Sequence, residues 1–252
     1  MKDFFLALRS CFGFLSTIRV GNSVDGINAL MRHIYLFTVG GAVIGVIAGG
    51  IGYATLLCFK PAVTAFITLV VLYYLTGINH LDGLADVGDG IVVHGDAKRK
   101  IDVMKDVTIG AGGVAFVTLA LIGTYAAIFT VSQTNHILPA IIVGEVCAKH
   151  GMLTTSFKAK KMHEGLGSMN IDGTTSLNYL ISLAIALAIC ITLYNIYGIA
   201  AIIISSIAAI TVRAVANKHF GGVNGDVLGA TNEVARIAAL FTLSGVTSWT
   251  LL

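Results

Sequence analysis

Apolar residues in this chain come in long runs, and polar residues gather in the intervals between them. A bilayer's hydrocarbon core calls for a helix of about 20 apolar residues. Seven stretches meet that description: residues 34–59, 61–79, 109–131, 137–156, 177–194, 196–215 and 228–252. Pro61 and Pro139 sit at span starts, where a missing N–H costs no hydrogen bond. The first run carries Gly40, Gly41, Gly45, Gly49, Gly50 and Gly52, which favours close helix–helix approach over exposure to lipid. Residues 1–20 set Lys2, Arg9 and Arg19 around apolar positions. Arg9 interrupts the apolar core that a signal peptide needs, so an amphipathic helix in the membrane interface is predicted. The pattern as a whole predicts an all-α, polytopic membrane helix bundle of about seven spans in one domain, residues 1–252.

Composition agrees with the pattern. Apolar residues make up 56% of the chain and charged residues 12%, about half the charged fraction of a soluble domain. Mean hydropathy is +0.87. A net charge of +3 with no basic stripe argues against nucleic acid as a partner. Cys11, Cys58, Cys147 and Cys190 stand apart, with no Cys-x-x-Cys, and are expected to pack as small apolar residues.

Charge sets the orientation. Twelve of the 16 Lys and Arg fall in the N-terminal region and in three long loops, 80–108, 157–176 and 216–227. By the positive-inside rule these face the cytoplasm. Apart from Glu145 and Glu233 within spans, every acid falls on that side too. Any polar chemistry is then confined to one face of the membrane.

The sharpest feature is His80-Leu-Asp-Gly-Leu-Ala-Asp-Val-Gly-Asp-Gly90. Asp82, Asp86 and Asp89 are spaced i, i+4, i+7, so on a helix all three carboxylates share one face. Like charges stacked this way call for a divalent cation. Hard oxygen ligands suit Mg²⁺, which bridges protein carboxylates to substrate phosphates. The small and apolar residues between the acids suggest a helix partly embedded in the membrane surface, its acids turned into a protein cleft. Gly83, Gly88 and Gly90 permit close backbone approach. His80 lies off the carboxylate face; it either donates a hydrogen bond to substrate or caps the preceding span. Asp106 directly precedes the Gly-rich start of the next span and is a substrate-binding candidate, whereas Asp96 and Asp102 read as solvated partners of neighbouring Lys and Arg.

Two further loops carry candidates. In the run 220–233, Gly222, Asn224 and Gly225 lead into a helix start whose exposed N–H groups suit phosphate oxygens. Asp226 is a metal or substrate ligand there, or else the helix N-cap. Glu233 repeats the i, i+7 offset from Asp226 and joins the substrate-binding candidates, with a local pair to Arg236 as its other reading. In the loop 156–170, Gly165, Gly167 and Ser168 form a flexible turn able to face phosphate, although its lysines also satisfy the positive-inside rule. Glu145 and Lys149, at i, i+4 within the fourth span, are expected to pair, and ionisable groups at that depth are functional candidates. An acidic helix, Gly-rich turns and basic side chains on one membrane face together point to transfer of a phosphoryl-linked group.

These motifs resemble those of the cobalamin synthase (adenosylcobinamide-GDP ribazoletransferase) family. The family's Asp-rich run is matched by His80 to Gly90, its Met-x-Asp-x-x-Ile-Gly stretch by Met104 to Gly110, and its Gly-Gly-x-x-Gly-Asp-x-Leu-Gly-Ala run by Gly221 to Ala230. Phe14-Leu-Ser-Thr-Ile-Arg19-Val also resembles its N-terminal start. The matches fall in the family's order and cover nearly the whole chain. Val87-Gly88 stands where Thr-Ala is usual, and both are small enough to keep the helix face. The resemblance implies a Mg²⁺-dependent cell-membrane enzyme that joins adenosylcobinamide-GDP to alpha-ribazole or its 5′-phosphate and releases GMP. The partners it implies are those substrates and the lipid bilayer; homo-oligomerisation stays open. A CDP-alcohol phosphotransferase also clusters aspartates on membrane helices, but its pattern needs Arg where Asp86 follows Ala85. A secondary transporter predicts inverted repeats and mid-membrane ionisable groups; only Glu145 and Lys149 fit, and no repeat is visible.

Overall fold

The computed structural model describes residues 2–18, 20–21 and 23–249. Arg19 and the end of the last expected span, 250–252, lie outside the described residues. Eleven helices follow one another among those residues: α1 (Lys2–Leu15), α2 (Val24–Arg32), α3 (Leu36–Leu56), α4 (Pro61–Thr76), α5 (Asn79–Val92), α6 (Ala97–Met104), α7 (Ala111–Gln133), α8 (Ile137–Ser156), α9 (Leu166–Gly173), α10 (Ser176–Phe220) and α11 (Gly225–Trp249). Among them α3, α7, α8 and α10 are each long and apolar enough to cross a membrane; the bent pair α4–α5 passes that test only when its two helices are taken together. The all-α membrane bundle expected from the sequence is the observed architecture.

Large apolar side chains cover the outside, as lipid contact requires: Val46, Phe66, Val70, Leu119, Ile122, Leu180, Ile203 and Ile207 are all exposed. The centre is α8, buried along almost its whole length. Helix α3 lies against it through a glycine stripe. A Cβ at Gly41, Gly45 or Gly49 would come within 2.6–2.9 Å of the backbone of Glu145, Ile142 or Leu138. Small residues at i, i+4, i+8 thus bring the two backbones together.

Helix α10 is two antiparallel limbs. Asn195 has φ 50° and ψ −129°, which breaks the helix. The Tyr194 hydroxyl reaches the His136 carbonyl at the start of α8, while Ser182 bonds His150 and Arg213 donates to the Phe157 carbonyl at its end. A straight helix would hold residues 182 and 213 more than about 45 Å apart. The limbs, 176–194 and 196–220, match the expected fifth and sixth spans. Thus the turns near residues 133–136 and 195 share one end of the bundle. The segments 79–110, 157–175 and 221–226 share the other.

Three short helices went unforeseen. In α2, α6 and α9, each of nine residues or fewer, the chain is too polar or too brief to show a span. Ser23 caps α2 and Asp96 caps α6, each accepting an N–H from its own first turn. The cysteines are free thiols; Cys11, Cys147 and Cys190 are buried as expected, but Cys58, at the α3–α4 link, is exposed.

A buried ion network ties α4, α8 and α11. Arg236 bonds Glu145, and its other arm donates to Glu233 at 2.6 Å. Lys149 lies 3.5 Å from Glu145, the expected i, i+4 pair, and donates to Asn232. Tyr73 donates to Glu233 at 2.8 Å, as does Asn232 at 2.9 Å. Two acids and two bases balance, with these four charged side chains at most 1% exposed. Removing one member leaves uncompensated buried charge. Arg236→Met is expected to destabilise the bundle by about 3–5 kcal/mol, read as a lower melting temperature in detergent, with part recovered in Glu145→Gln/Arg236→Met. An unchanged melting temperature in the single variant contradicts this.

Candidate active site

Helix α5 turns 92° from α4 and lies across the end of the bundle instead of crossing it. It meets α11 at Gly83, where a Cβ would come within 2.7 Å of the Asp226 carbonyl oxygen. Glycine is therefore required for the two backbones to touch. The crossing brings Asp82 and Asp86 beside Asp226. Burial, and then the charges of Asp226, Asp82 and Asp89, push the Asp86 carboxyl up to about 7. Concentrated negative charge of this kind is what a divalent cation relieves.

Asp226 is held by its own loop. Asn224 caps α11, its Oδ1 accepting from the Val227 N–H at 3.1 Å, while its Nδ2 donates to Asp226 at 2.7 Å. The N-cap is therefore Asn224, and Asp226, steadied by the Asn224 amide, sits in the first turn, where the helix dipole favours a carboxylate. The 158–164 loop docks beneath it. Val223 donates to the Lys160 carbonyl at 2.8 Å and Met162 to that of Val223 at 3.0 Å. A Cβ at Gly167 would meet the Gly225 nitrogen at 2.5 Å, so α9 is pressed against the Asp226 turn.

Asp89 is placed differently from its two companions. It is buried, and its two oxygens accept from the N–H groups of Gly110 at 2.7 Å and Gly113 at 2.8 Å. It caps α7 and so locks α5 to that helix. The far end of α5 is fixed as well. Lys100 donates to the carbonyls of Gly90, Ile91 and Val93, satisfying the helix C-terminus.

Two hollows meet at Asp82. One, of about 450 Å³, is walled by Phe14, Asn79, His80, Asn170, Gly167, Gly225, Asp226 and Leu228 among others. His80 Nδ1 is buried beside it without a hydrogen-bond partner among the described residues. The other, of about 380 Å³, runs along Asp82, Ala85 and Asp86 to the segment from Met104 to Ile109. Carboxylates from two helices, Gly-rich turns and an exposed Lys105 thus share one end of a membrane bundle.

The sequence profile of the cobalamin-5-phosphate synthase family matches residues 7–244. The chain belongs to this family. It is 39% identical to the adenosylcobinamide-GDP ribazoletransferase of Methanococcoides burtonii, over 97% of this chain and 93% of that protein. It is 38% identical, with the same coverage, to the protein of that name from Methanosarcina barkeri. Against that of Halorubrum lacusprofundi it is 35% identical over 97% and 98% of the two chains. No solved structure matches.

Within this member of the cobalamin-5-phosphate synthase family, the structure sorts the expected site residues. Asp82, Asp226, His80, Gly167 and Gly225 line the larger hollow; Asp86 and Asp106 line the smaller. Gly83 makes the helix crossing, and Gly222 packs on the 160–162 backbone. Gly165 and Ser168 bond each other at the start of α9, with the Ser168 hydroxyl donating to Glu164. Glu233 does not reach either hollow: both its oxygens are engaged in the buried network. Sequence reasoning passed over Phe14, Asn79, Asn170 and Lys105. Only Lys105 carried a local signal, its charge; the others reach the hollows by tertiary packing.

Among the described residues no three His, Cys, Asp or Glu side chains converge closely enough to hold a metal ion by themselves. Mg²⁺ asks for less, since one or two carboxylates and substrate phosphates complete its shell. Asp82, Asp86 and Asp226 fit that requirement in type and charge. The crossing that assembles them is the point to disturb. Gly83→Ala is expected to push α5 off α11 at a cost of about 1–3 kcal/mol, lowering the melting temperature and reducing turnover more than Gly50→Ala, whose Cβ meets nothing. Equal effects from the two substitutions contradict this.

Proposed function

We propose that this chain is a membrane transferase that joins adenosylcobinamide-GDP to alpha-ribazole, or to its 5′-phosphate, and releases GMP. The observation that carries the proposal is the α5–α11 crossing, which sets Asp82 and Asp86 opposite Asp226 at one end of a lipid-facing bundle. Family membership and the names of the relatives support the same substrates.

In this reading a ribose hydroxyl attacks the phosphorus nearest the cobinamide side chain. The new P–O bond forms as the bridging P–O bond breaks, and GMP leaves with that oxygen. The hydroxyl proton passes to a carboxylate of the group that is not engaged by the cation. Asp226 and one of Asp82 and Asp86 would hold Mg²⁺, which would supply charge neutralisation on the diphosphate and the leaving phosphate. Asp89 acts by position: it fixes the angle of α5 through α7. Gly167, Gly225 and the Asn224-capped turn bring backbone N–H groups to the same hollow.

The proposed setting is the cell membrane, with the N-terminus and the long loops in the cytoplasm, where nucleotide substrates are found. The basic loops 80–108 and 157–176 support it by the positive-inside rule.

The test is Mg²⁺-dependent GMP release by purified protein given both substrates. Asp82→Asn, Asp86→Asn and Asp226→Asn are each expected to lose roughly 100-fold or more, the scale of one lost charge-stabilising group. No GMP release, or full activity in all three variants, removes the proposal. For orientation, a cysteine introduced at Val107 in a Cys58→Ser background is expected to react with a membrane-impermeant maleimide only after cells are opened, since native Cys58 is exposed; labelling of intact cells in that background reverses the topology.

A further inference from the structure

The two hollows are unlike each other. The larger lies inside the bundle end, roofed by Phe14, Met152 and Leu228. The smaller hangs over the link between α6 and α7, and its rim residues Lys105, Val107 and Thr108 are exposed. Asp82 lines both. In-line displacement at phosphorus puts the entering and leaving oxygens on opposite sides of the reacting atom. With the diphosphate held at Asp82 and Asp86, one hollow takes the attacking alcohol and the other the leaving nucleotide. Lys105 adds positive charge to the smaller hollow, which opens to water, where a soluble nucleotide must depart.

Asp106 is the one acid of that hollow beyond the α5 pair. Four basic residues share its loop, Lys98, Arg99, Lys100 and Lys105, yet Asp106 is not one of the ion-paired acids among the described residues. Instead one oxygen, Oδ1, accepts from the Thr108 N–H at 2.9 Å and the Thr108 hydroxyl at 2.6 Å. These bonds keep the carboxylate ionised and aim it. Val107 and Ile109, apolar and strongly exposed, flank it, and Met104 lies in the same wall. Thr108 occupies Oδ1 and leaves Oδ2 as a fixed acceptor between apolar surfaces, which suits a flat heterocycle that presents donors at its edge. Guanine does so with N1–H and the 2-amino group; adenine offers an acceptor at N1.

We infer that Asp106 is the specificity-determining residue for the guanine base of the leaving nucleotide, which occupies the hollow between α5 and the 104–109 segment. This rests on the function proposed above, and it adds which hollow holds which substrate and which side chain reads the base.

The experiment compares adenosylcobinamide-GDP with its xanthosine counterpart in wild type and Asp106→Asn. An amide keeps one acceptor for Thr108 and puts a donor where the second acceptor was. That donor suits the 2-oxo group of xanthine and opposes the 2-amino group of guanine. Wild type is expected to favour the guanosine substrate by about 100-fold in kcat/KM, and Asp106→Asn to reverse the preference; mispaired polar groups in a recognition site discriminate on this scale or beyond. Equal loss on both substrates, or no change, overturns the inference while leaving the transferase reading intact. Wild type inactive on both substrates removes the transferase reading itself. Should Asp106→Asn fail to fold, product inhibition of wild type decides: GMP is expected to inhibit at least about 10-fold more tightly than IMP, which lacks the 2-amino donor, and equal inhibition overturns the inference.

Discussion

The meeting of Glu145, Lys149, Glu233 and Arg236 inside the bundle constrains everything around it. Charges away from water must be paired, and shifting one helix along another would strip each of its partner. The register of α11 against α8 and α4 is therefore set by electrostatics, in a surrounding of lipid-like side chains that would tolerate many registers. Asp226 lies two turns above Glu233 on the same helix. Fixing one fixes the height of the other, and with it the level at which α5 must cross.

Glycine completes what the ion network begins. The α3 stripe brings that helix onto α8, and Gly83 lets α5 lie directly on the first turn of α11. Asp89 and Lys100 then hold α5 from its far half, one through α7 and one through its last carbonyls. The result is a short acidic helix clamped across a bundle end, with a hollow on either side of Asp82. The arrangement costs electrostatic energy, visible in the displaced Asp86 carboxyl. A site for a cation and a diphosphate is the reason we give for keeping it.

Much of this was legible from periodicity. The all-α bundle of long apolar helices, the common face of the three aspartates and the Glu145–Lys149 pair all follow from helical spacing, which is local. Facing is not depth, however. Glu233 shares the face of Asp226 but lies about 10 Å further along the axis, where that face meets Tyr73 and Arg236 and no longer a hollow. Asp89 likewise shares the face of Asp82 but lies beyond the crossing, against the start of α7. The Arg236–Glu145 bond joins residues 91 positions apart, and Phe14 and Asn170 reach the hollow from distant elements. Nothing in local spacing announces such contacts. Asn195 shows the converse: the expected division between two spans is there, made by a single residue of non-helical φ and ψ.

The central claim is that carboxylates from two helices, α5 and α11, act on one cation and one diphosphate. Metal preference in Asp226→Cys tests it most directly, because a thiolate ligand disfavours Mg²⁺ and favours softer ions such as Cd²⁺. The account predicts that Mg²⁺-supported GMP release is lost in this variant and partly restored by Cd²⁺, with no such restoration in Asp226→Ala. Undiminished Mg²⁺-supported turnover in Asp226→Cys would contradict it.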